Sequence, residues 1–238
     1  MEKKVDLLAH LPQVGAMPHE EWTKDEILYH PGVVDRRLYL IREGRVVIYS
    51  DNPNTGPAVA LDIVDGKSER VFGLEALAGP HSAWAACIEK TNRFMSWSVQ
   101  KVLKLAETDK QLALGLQQAL ISRNLWYEEQ LRSQLYPVAE RTALLLIRMA
   151  RNHRALDEGN NSRQVTLLPM THELISQFVV TSREIVTTFM DKFRSEGFLS
   201  YRRTDGIVIE DPEAFYRWVQ RGDCRKKCYP RSGRLPRK

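Results

Sequence analysis

Short apolar runs fill the first part of the chain. Between about Trp22 and Val102 they alternate with polar residues, and clusters rich in Pro, Gly and Asn separate them. Runs of this length between turn clusters predict the strands of a small antiparallel barrel or roll. The run RRLYLIREGRVVIYSD, around Gly44, predicts a strand–turn–strand unit. We therefore expect an antiparallel, jelly-roll-like β-roll over residues 1–108, which would form a sensor domain.

A long stretch without helix breakers follows. Residues 109–136 contain no Pro and one Gly, and a helix of that length would be about 42 Å long. Its apolar residues recur at spacings of four, seven and four, which is typical of a helix that pairs with another helix. These residues are Leu116, Leu120, Tyr127 and Leu131. We expect a dimerisation helix whose seam is buried by a second copy of the chain. The alternative is a helix packed only on its own domain.

After the long helix, the pattern predicts one apolar helix and then a pair of shorter amphipathic helices. Pro137 ends the long helix, and an apolar helix, VAERTALLLIRMAR, follows it. The segment THELISQFVVTSREIVTTFMDKFRSEGFLSYRR begins at Thr171, which can cap the first of the pair. Thr181 with Glu184 fits a capping box for the second, and Ser182 is the alternative cap. The apolar face expected to be buried on the second helix is Ile185, Val186, Phe189, Met190 and Phe193.

The chain then alternates and contains Asp205-Gly206, which predicts a two-stranded wing. A helix, a turn and a second helix with a polar start is the arrangement that enters the major groove of DNA. We therefore expect an α+β chain with a winged helix-turn-helix DNA-binding domain at residues 137–220. The alternative is a helical hairpin that serves only as core. The predicted DNA-contacting residues are Thr171, Ser182, Arg183, Glu184, Thr187, Thr188, Lys192, Arg202 and Arg203. Arginine reads guanine, glutamate accepts from the cytosine amine, and the wing arginines suit phosphates.

Basic charge is concentrated at the C-terminus. Residues 221–238 carry a net charge of +7, and the rest of the chain carries −2. We expect a disordered tail that either adds non-specific phosphate contacts or has no role. Its cysteines, Cys224 and Cys228, lack the further ligands of a zinc site, so we expect free thiols in a solvated tail and no metal.

Other function classes find little support. No apolar run approaches the ~20 residues of a membrane span. The N-terminal MEKKVDLLAHLPQVG has no apolar region long enough for a signal peptide, so we expect a cytoplasmic protein. The sequence has no nucleophile–base arrangement, phosphate loop or metal-ligand cluster that would favour an enzyme.

From about Trp22 to Phe215 the chain resembles the CRP/FNR family of bacterial transcription regulators. TSREIVTTFMDKFRSEGFLSYRR is similar to the family's recognition motif, DEILYHPGVVDRRLYLIREGRVVIY to its first roll strands, and VFGLEALAGPHSAWAA to its effector-pocket segment. The resemblance implies a homodimer that binds an inverted-repeat operator in double-stranded DNA and contacts RNA polymerase. Arg183 and Glu184 match two base-reading positions, whereas Thr188 stands where an arginine is usual and Val180 where a glycine is common.

The resemblance also places a candidate effector pocket in the roll. Its residues here are Gly73, Leu74, Glu75, His81, Ser82, Ala83, Trp126 and Tyr127. In members that bind cyclic AMP, a glutamate follows the pocket glycine and an arginine precedes Ser/Thr-Ala, but this chain has Leu74 and His81 there. Leucine cannot accept from a ribose hydroxyl, and a mostly neutral histidine is a poor replacement for a guanidinium. We therefore expect that cyclic AMP is not the effector. Two alternatives stay open: His81 as a partly exposed turn residue, and Trp126 with Tyr127 as packing in the dimer seam.

The effector itself stays unidentified. An iron–sulfur cluster of the family's usual kind lacks cysteine ligands in the N-terminal third. Haem stays open because His10, His19, His30 and His81 exist, although no spacing favours it. Our main hypothesis is a dimeric, sequence-specific transcription regulator that does not need cyclic AMP. The alternatives are a signalling module that acts through protein contacts and a haem-sensing or other small-molecule-sensing member of the family.

Overall fold

The computed structural model describes residues 7–17, 20–54, 58–66, 70–156, 163–167, 169–202 and 206–229. The chain forms two compact units, Met1–Gln130 and Leu131–Lys238. The strands are β1 (Glu20–Trp22), β2 (Ile27–Tyr29), β3 (Arg37–Glu43), β4 (Arg45–Tyr49), β5 (Ala60–Asp65), β6 (Val71–Phe72), β7 (Trp84–Cys87), β8 (Asn92–Ser98), β9 (Val165–Thr166), β10 (Leu199–Arg202) and β11 (Gly206–Ile209). The helices are α1 (Leu7–His10), α2 (Val99–Ala106), α3 (Lys110–Ser133), α4 (Val138–Leu156), α5 (His172–Val179), α6 (Arg183–Ser195), α7 (Pro212–Gln220) and α8 (Asp223–Cys228). Among the described residues, no helix has the length and apolar character that crossing a membrane would require.

The first eight strands form two antiparallel sheets, in the orders β1-β8-β3-β6 and β2-β7-β4-β5. Side chains of both sheets, including Tyr39, Val46, Val64 and Phe94, share one buried cluster. The two sheets therefore pack face to face around a common core, as in a jelly roll. This confirms the antiparallel roll expected from the sequence.

The two strands predicted on either side of Gly44 form, but they do not pair with each other. Strand β3 pairs with β8, whereas β4 pairs with β5 and β7. Gly44 is the corner at which the chain passes from one sheet to the other. Its φ is +90°, and a Cβ there would lie 2.4 Å from Asn92 Oδ1 and 2.5 Å from the Thr91 carbonyl oxygen, so only glycine fits.

Strand β3 is buried on both of its faces. Tyr39 and Ile41 face the core between the sheets, while Leu38 and Leu40 belong to a second cluster on the other face, with residues of α2 and α3. A strand that is buried on both faces has a continuous apolar run rather than an alternating one.

The long helix α3 forms, but the seam predicted on it is partly wrong. Asp109 Oδ1 caps the helix by accepting from the backbone N–H groups of Gln111 and Leu112, at 2.9 and 3.0 Å. Leu116 is buried with Trp97 and Val102 in the core of its own unit, and Tyr127 is half-buried against Arg123. Leu120 and Leu131 are exposed by 37% and 72% of their surfaces.

The opposite face of α3 carries a different apolar row. Leu114, Ile121 and Leu125 are 42%, 58% and 55% exposed. They recur at spacings of seven and four and therefore lie on one face of the helix. Helix α3 is thus apolar on two sides, and only one side is buried in its own unit.

The second unit packs its helices with the three-stranded sheet β10-β11-β9. Its core is rich in aromatic rings: Phe193 and Phe215 lie 5.2 Å apart between centroids, and Phe198 stacks on Phe215 at 4.8 Å. This core buries the inner faces of α6 and α7, which leaves the outer face of α6 exposed.

The expectation of a disordered, solvated tail from residue 221 is wrong for its first part. Asp223–Cys228 form α8, and Cys224 is fully buried. The Arg225 guanidinium forms a salt bridge of 3.0 Å with the buried Glu140 carboxylate of α4. This salt bridge holds a basic segment against the second unit, although the positive charge of the segment had predicted that it would be solvated. Residues 230–238 lie outside the described residues.

Candidate nucleic-acid interface and effector segment

The first helix of the pair is fixed at both ends. Thr171 Oγ1 accepts from the backbone N–H of Leu174 at 3.1 Å, so the predicted cap of α5 is confirmed. After α5, Val180 has a φ of 52°, in the left-handed region. A β-branched residue is strained there, which explains why the family commonly has glycine at this position. The turn therefore forms with valine, at a cost in backbone strain.

The second helix begins with Ser182 rather than Thr181. Ser182 has the extended backbone of an N-cap, and its hydroxyl accepts from the backbone N–H of Ile185 at 3.4 Å. The capping-box assignment to Thr181 is therefore wrong, and the alternative cap is correct.

Helix α6 has one buried and one exposed face. Val186, Phe189, Met190 and Phe193 are buried, as predicted, but Ile185 is 42% exposed, so that prediction is wrong. Ile185 lies about 100° round the helix from Val186, which places it at the edge of the packed face.

Polar side chains occupy the exposed start of α6. Arg183, Glu184 and Thr188 are exposed, and Thr187 is half-buried. Both threonine hydroxyls donate to backbone carbonyls one turn earlier, Thr187 to Arg183 at 2.9 Å and Thr188 to Glu184 at 3.0 Å. Lys192 follows Thr188 by one helical turn, and its ammonium pairs with Glu196 at 2.9 Å.

The carboxyl of Glu184 is held in its ionised form. The N–H of its own backbone and the Ser182 hydroxyl, both at the start of the helix, lower its pKa below the ordinary range. An ionised carboxylate only accepts hydrogen bonds, so Glu184 can accept from a base amine but cannot donate to one.

The sequence-based reasoning missed a chain of hydrogen bonds beside these residues. The ring nitrogens of His172 lie 2.9 Å from Thr187 Oγ1 and 3.0 Å from the Tyr201 hydroxyl. This chain joins α5, α6 and strand β10 of the wing. A signal existed in the sequence, since His172 follows the cap residue directly, but its partners come from other elements.

The wing consists of β10 and β11, and β9 adds a third strand to the sheet. Arg202 pairs in register with Gly206, whose φ of 88° lies in the left-handed region. Asp205, the other residue of the predicted turn, lies outside the described residues. The side chain of Arg202 and all of Arg203 lie outside the described residues.

The effector segment of the roll does not line a single site. Leu74 and Ala83 are buried in two different core clusters, and Ser82 is exposed. Gly73 has a φ of +75°, and a Cβ there would lie 3.1 Å from the Tyr39 ring. Its role is therefore to begin a tight turn against β3.

Four polar side chains of the first unit do come together, and one of them was not predicted. The Arg123 guanidinium of α3 pairs with the Glu75 carboxylate and donates to the Tyr127 hydroxyl at 3.0 Å. His81 Nδ1 lies 3.8 Å from the second carboxylate oxygen of Glu75. We call Glu75, His81, Arg123 and Tyr127 the roll–helix cluster.

His81 is a core residue rather than the exposed turn residue considered above. It is 2% exposed, and its ring stacks on that of Tyr29 at 3.7 Å between centroids. Trp126 is also engaged within the unit, because its indole N–H donates to the carbonyl oxygen of Leu61 at 2.8 Å. Trp126 thus contacts the roll, and Tyr127 belongs to the roll–helix cluster, while both side chains are half-buried. Their packing in a dimer seam stays a prediction.

The cluster stabilises the charged form of its carboxyl. Burial raises the pKa of Glu75, but hydrogen bonding to His81 and Arg123 and the charge of Arg123 outweigh it and lower the pKa to about 2. We attribute most of this to Arg123, because the distance to His81 exceeds that of a normal hydrogen bond. Glu75 is therefore ionised, with one oxygen paired with Arg123 and the other, Oε2, buried without a hydrogen-bond partner among the described residues.

The candidate haem ligands that the structure describes each have a partner within the fold. His10 pairs with Asp109 at 2.8 Å, His30 lies 5.3 Å from Trp84 between ring centroids, and His81 stacks on Tyr29. His19 lies outside the described residues. Within those residues, no three His, Cys, Asp or Glu side chains gather as a metal site would need.

A helix-turn-helix with an exposed polar second helix and an attached wing defines a winged helix-turn-helix DNA-binding domain. Residues 140–218 match the family described as the Crp-like helix-turn-helix domain. A comparison with curated protein sequences finds no significant match.

Solved structures extend the likeness to most of the chain. FixK2 from Bradyrhizobium japonicum is 20% identical, with a TM-score of 0.71, and the match covers 85% of this chain and 96% of that one. A CooA mutant from Carboxydothermus hydrogenoformans is 16% identical, with a TM-score of 0.70 and coverage of 91% and 96%. A CRP-family transcriptional regulator from Thermus thermophilus is 20% identical, with a TM-score of 0.60 and coverage of 84% and 96%.

Residues 140–218 thus match the Crp-like helix-turn-helix model, and the chain has the fold of the CRP/FNR-type regulators to which it is similar. The fold and the helix-turn-helix that the resemblance implied are confirmed.

Proposed function

We propose that the protein is a homodimeric regulator that reads an inverted-repeat operator with the exposed start of α6 and does not require cyclic AMP. The observation that carries this proposal is the polar surface at that helix end. Arg183, Glu184 and Thr188 are exposed there, and among the described residues no hydrogen bond or salt bridge occupies the Arg183 guanidinium. An exposed guanidinium and an exposed carboxylate at the start of a recognition helix are what base-edge contacts need.

The roles of the individual residues follow from their chemistry. Arg183 would donate to the O6 and N7 atoms of guanine, and the ionised Glu184 would accept from a cytosine amine. Thr188, which replaces the arginine usual in the family, can contact a thymine methyl group but cannot read guanine bidentately. Arg202 and Arg203 would contact phosphates, which fix the orientation of the helix but carry no sequence information.

We place the dimer interface on the outer face of α3. Leu114, Ile121 and Leu125 are exposed there, and a seam at spacings of seven and four suits a second copy of the same helix. This replaces the seam expected from the sequence, since Leu116 is part of the roll core.

Independence from cyclic AMP rests on the roll–helix cluster. One carboxylate oxygen of Glu75 is paired with Arg123, and the other is buried beside the His81 ring, away from solvent. His81, at the position of the phosphate-binding arginine, is buried against Tyr29. A cyclic phosphate placed there would lose its hydration without gaining a guanidinium partner. Calorimetry with cyclic AMP is expected to show no binding at micromolar concentration; binding accompanied by tighter operator binding would contradict this part of the proposal.

The regulator would then act on transcription through RNA polymerase, as the family resemblance implies. The roll would either hold the dimer in its DNA-binding form without a ligand or respond to a molecule other than cyclic AMP.

Selection from a random-sequence DNA library tests the central proposal. The full-length protein is expected to enrich an inverted repeat whose half-sites lie ~34 Å apart, one turn of DNA. Arg183→Ala should enrich a motif that is degenerate at one position in each half-site. Recovery of no common motif by the folded protein would contradict the proposal.

The assembly is tested by Ile121→Glu, which places like charges opposite each other in the proposed interface. Sedimentation should show dimers for the unmodified chain and monomers for the variant. Leu103→Glu is the matched control, because Leu103 is a similarly exposed leucine, at 43%, on a different helix, α2. A variant that stays dimeric would place the interface elsewhere.

A further inference from the structure

Helix α8 brings two thiols together beside the recognition helix. The Sγ atoms of Cys224 and Cys228 lie 4.0 Å apart. Cys224 is fully buried, and Cys228 is half-buried at the wall of a cleft of about 310 Å³ that Thr188, Phe189 and Lys192 of α6 also line. A small solute can therefore reach Cys228 but not Cys224.

The segment that carries these thiols connects two helices of the unit. The Tyr229 ring packs edge-on against Phe189 of α6 at 5.6 Å between centroids, and Lys227 lies 3.7 Å from Glu196 at the end of α6. On the other side, the Tyr229 hydroxyl accepts from the backbone N–H of Ala139 at 3.3 Å. With the Arg225–Glu140 salt bridge, these contacts hold α6 to the start of α4.

The two thiols differ in reactivity. A hydrogen bond from Cys224 lowers the pKa of Cys228, and the charge of Lys192 lowers it further. The same hydrogen bond, together with burial, raises the pKa of Cys224. Since the thiolate is the nucleophile, Cys228 would react first, with the Cys224 thiol beside it. Cys87 is different, because burial raises its pKa to about 12 and keeps it inert.

We propose that Cys224 and Cys228 are a peroxide-oxidised thiol pair whose disulfide loosens the recognition helix and weakens DNA binding. The Cys228 thiolate would attack hydrogen peroxide, forming an S–O bond, breaking the O–O bond and giving a sulfenic acid and hydroxide. The Cys224 sulfur would then displace the sulfenic oxygen, forming the S–S bond, while its proton and the solvent convert both oxygens to water. The two thiols lose two electrons, and one peroxide is reduced to two waters.

A disulfide does not fit the helix that presents the thiols. Residues four apart on a helix have Cβ atoms about 5–6 Å apart, whereas a disulfide needs a Cβ–Cβ distance of about 3.8 Å. Closing the bond must therefore draw the two Cβ atoms together by about 1–2 Å. A six-residue helix cannot absorb this change and keep its geometry. Tyr229 and Lys227, which contact α6, would move with it.

The effect on DNA binding rests on the proposed function, but the thiol chemistry and its effect on α6 do not. The full-length, reduced protein is treated with hydrogen peroxide, and the thiols are then alkylated and mapped by mass spectrometry. A Cys224–Cys228 disulfide is expected, reversible by dithiothreitol, with Cys87 still alkylated after denaturation. Hydrogen exchange of α6 amides should rise on oxidation. Affinity for a duplex selected by the reduced protein should fall about tenfold, which corresponds to 1.4 kcal/mol.

Cys228→Ser is the matched variant, since the half-buried site tolerates a hydroxyl. It should keep its α6 exchange rates and DNA affinity in peroxide, whereas Cys87→Ala should respond as the unmodified chain does. Disulfides only between chains, overoxidation of Cys228 without a link, or a disulfide that leaves α6 exchange unchanged would each overturn the proposal. If the reduced protein selects no duplex, the proposed function fails, while mapping and exchange still decide the thiol pair.

Discussion

The roll–helix cluster and the start of α6 both contain residues of the motifs that resemble the CRP/FNR family. Their charged groups differ in burial and pairing. In the roll, Glu75 is buried and paired with Arg123, a residue outside the motif. At the recognition helix, Arg183 and Glu184 are exposed and point to solvent. A charge that is paired within the fold stabilises the fold, whereas an unpaired one is available to a ligand. The roll motif therefore contributes a charge that is paired inside the fold, whereas the recognition helix presents an exposed arginine to solvent.

The largest expected effect comes from the paired region. Arg123→Ala leaves the mostly buried Glu75 carboxylate without its partner and should lower the free energy of unfolding by about 3 kcal/mol. Denaturant unfolding at neutral pH measures it. Arg132→Ala removes an exposed arginine of the same helix and should change stability by less than about 0.5 kcal/mol. Equal free energies of unfolding for the two variants would show that the pairing of Arg123 with Glu75 does not stabilise the fold.

The unpaired region should show the reverse behaviour. Arg183→Ala should weaken binding to the preferred duplex by about 1–3 kcal/mol and relax one base position in each half-site, with no loss of folding stability. Fluorescence anisotropy with the preferred and single-substituted duplexes measures both. Arg194→Ala removes the same charge near the other end of α6 and should weaken binding without altering base preference. An unchanged base preference in Arg183→Ala would contradict the assignment.

Acid should weaken the cluster in a defined range of pH. The pKa of Glu75 is about 2 in the folded chain, against an ordinary value of 4.5, so its contribution is complete above about pH 4.5 and is lost as the pH falls towards 2. The loss should be on the order of 1–2 kcal/mol. Urea unfolding from neutral pH to about pH 3 should show the stability gap between the unmodified chain and Glu75→Gln narrowing as the pH falls. A gap that stays constant would mean that Glu75 is not held ionised by the cluster.

The smallest effect concerns how the recognition helix is presented. Val180 has a left-handed backbone that glycine adopts without strain, so Val180→Gly should stabilise the unit by about 1 kcal/mol. Thermal unfolding measures it. Val34 is 60% exposed and lies outside the left-handed region, so Val34→Gly should not stabilise the chain. If Val180→Gly were destabilising, valine would contribute packing that outweighs the strain.

Local pattern was sufficient for the recognition region. The cap at Thr171, the buried face from Val186 to Phe193 and the exposed Arg183 and Glu184 all depend on residues within a few positions of one another. Helix periodicity and capping act over that range, so the sequence could predict them. The errors were of one or two residues, at Thr181 and Ile185, where the end of a helix or the edge of a packed face decides the outcome.

The sequence by itself thus determined the roll, the long helix and the helix-turn-helix, because apolar periodicity and turn residues are local signals. Only the tertiary structure decided which polar groups pair and which apolar faces are covered. Arg123 pairs with Glu75, which is 48 residues away along the chain. Gly44 connects two different sheets. Leu116, predicted in the dimer seam, is buried in the core of its own unit. The start of the C-terminal tail is a similar case. Its basic charge predicted a solvated segment, but the salt bridge of Arg225 with the buried Glu140 carboxylate holds it against the unit. Such pairs join residues that are far apart along the chain, and local sequence patterns do not reveal which distant residues come together.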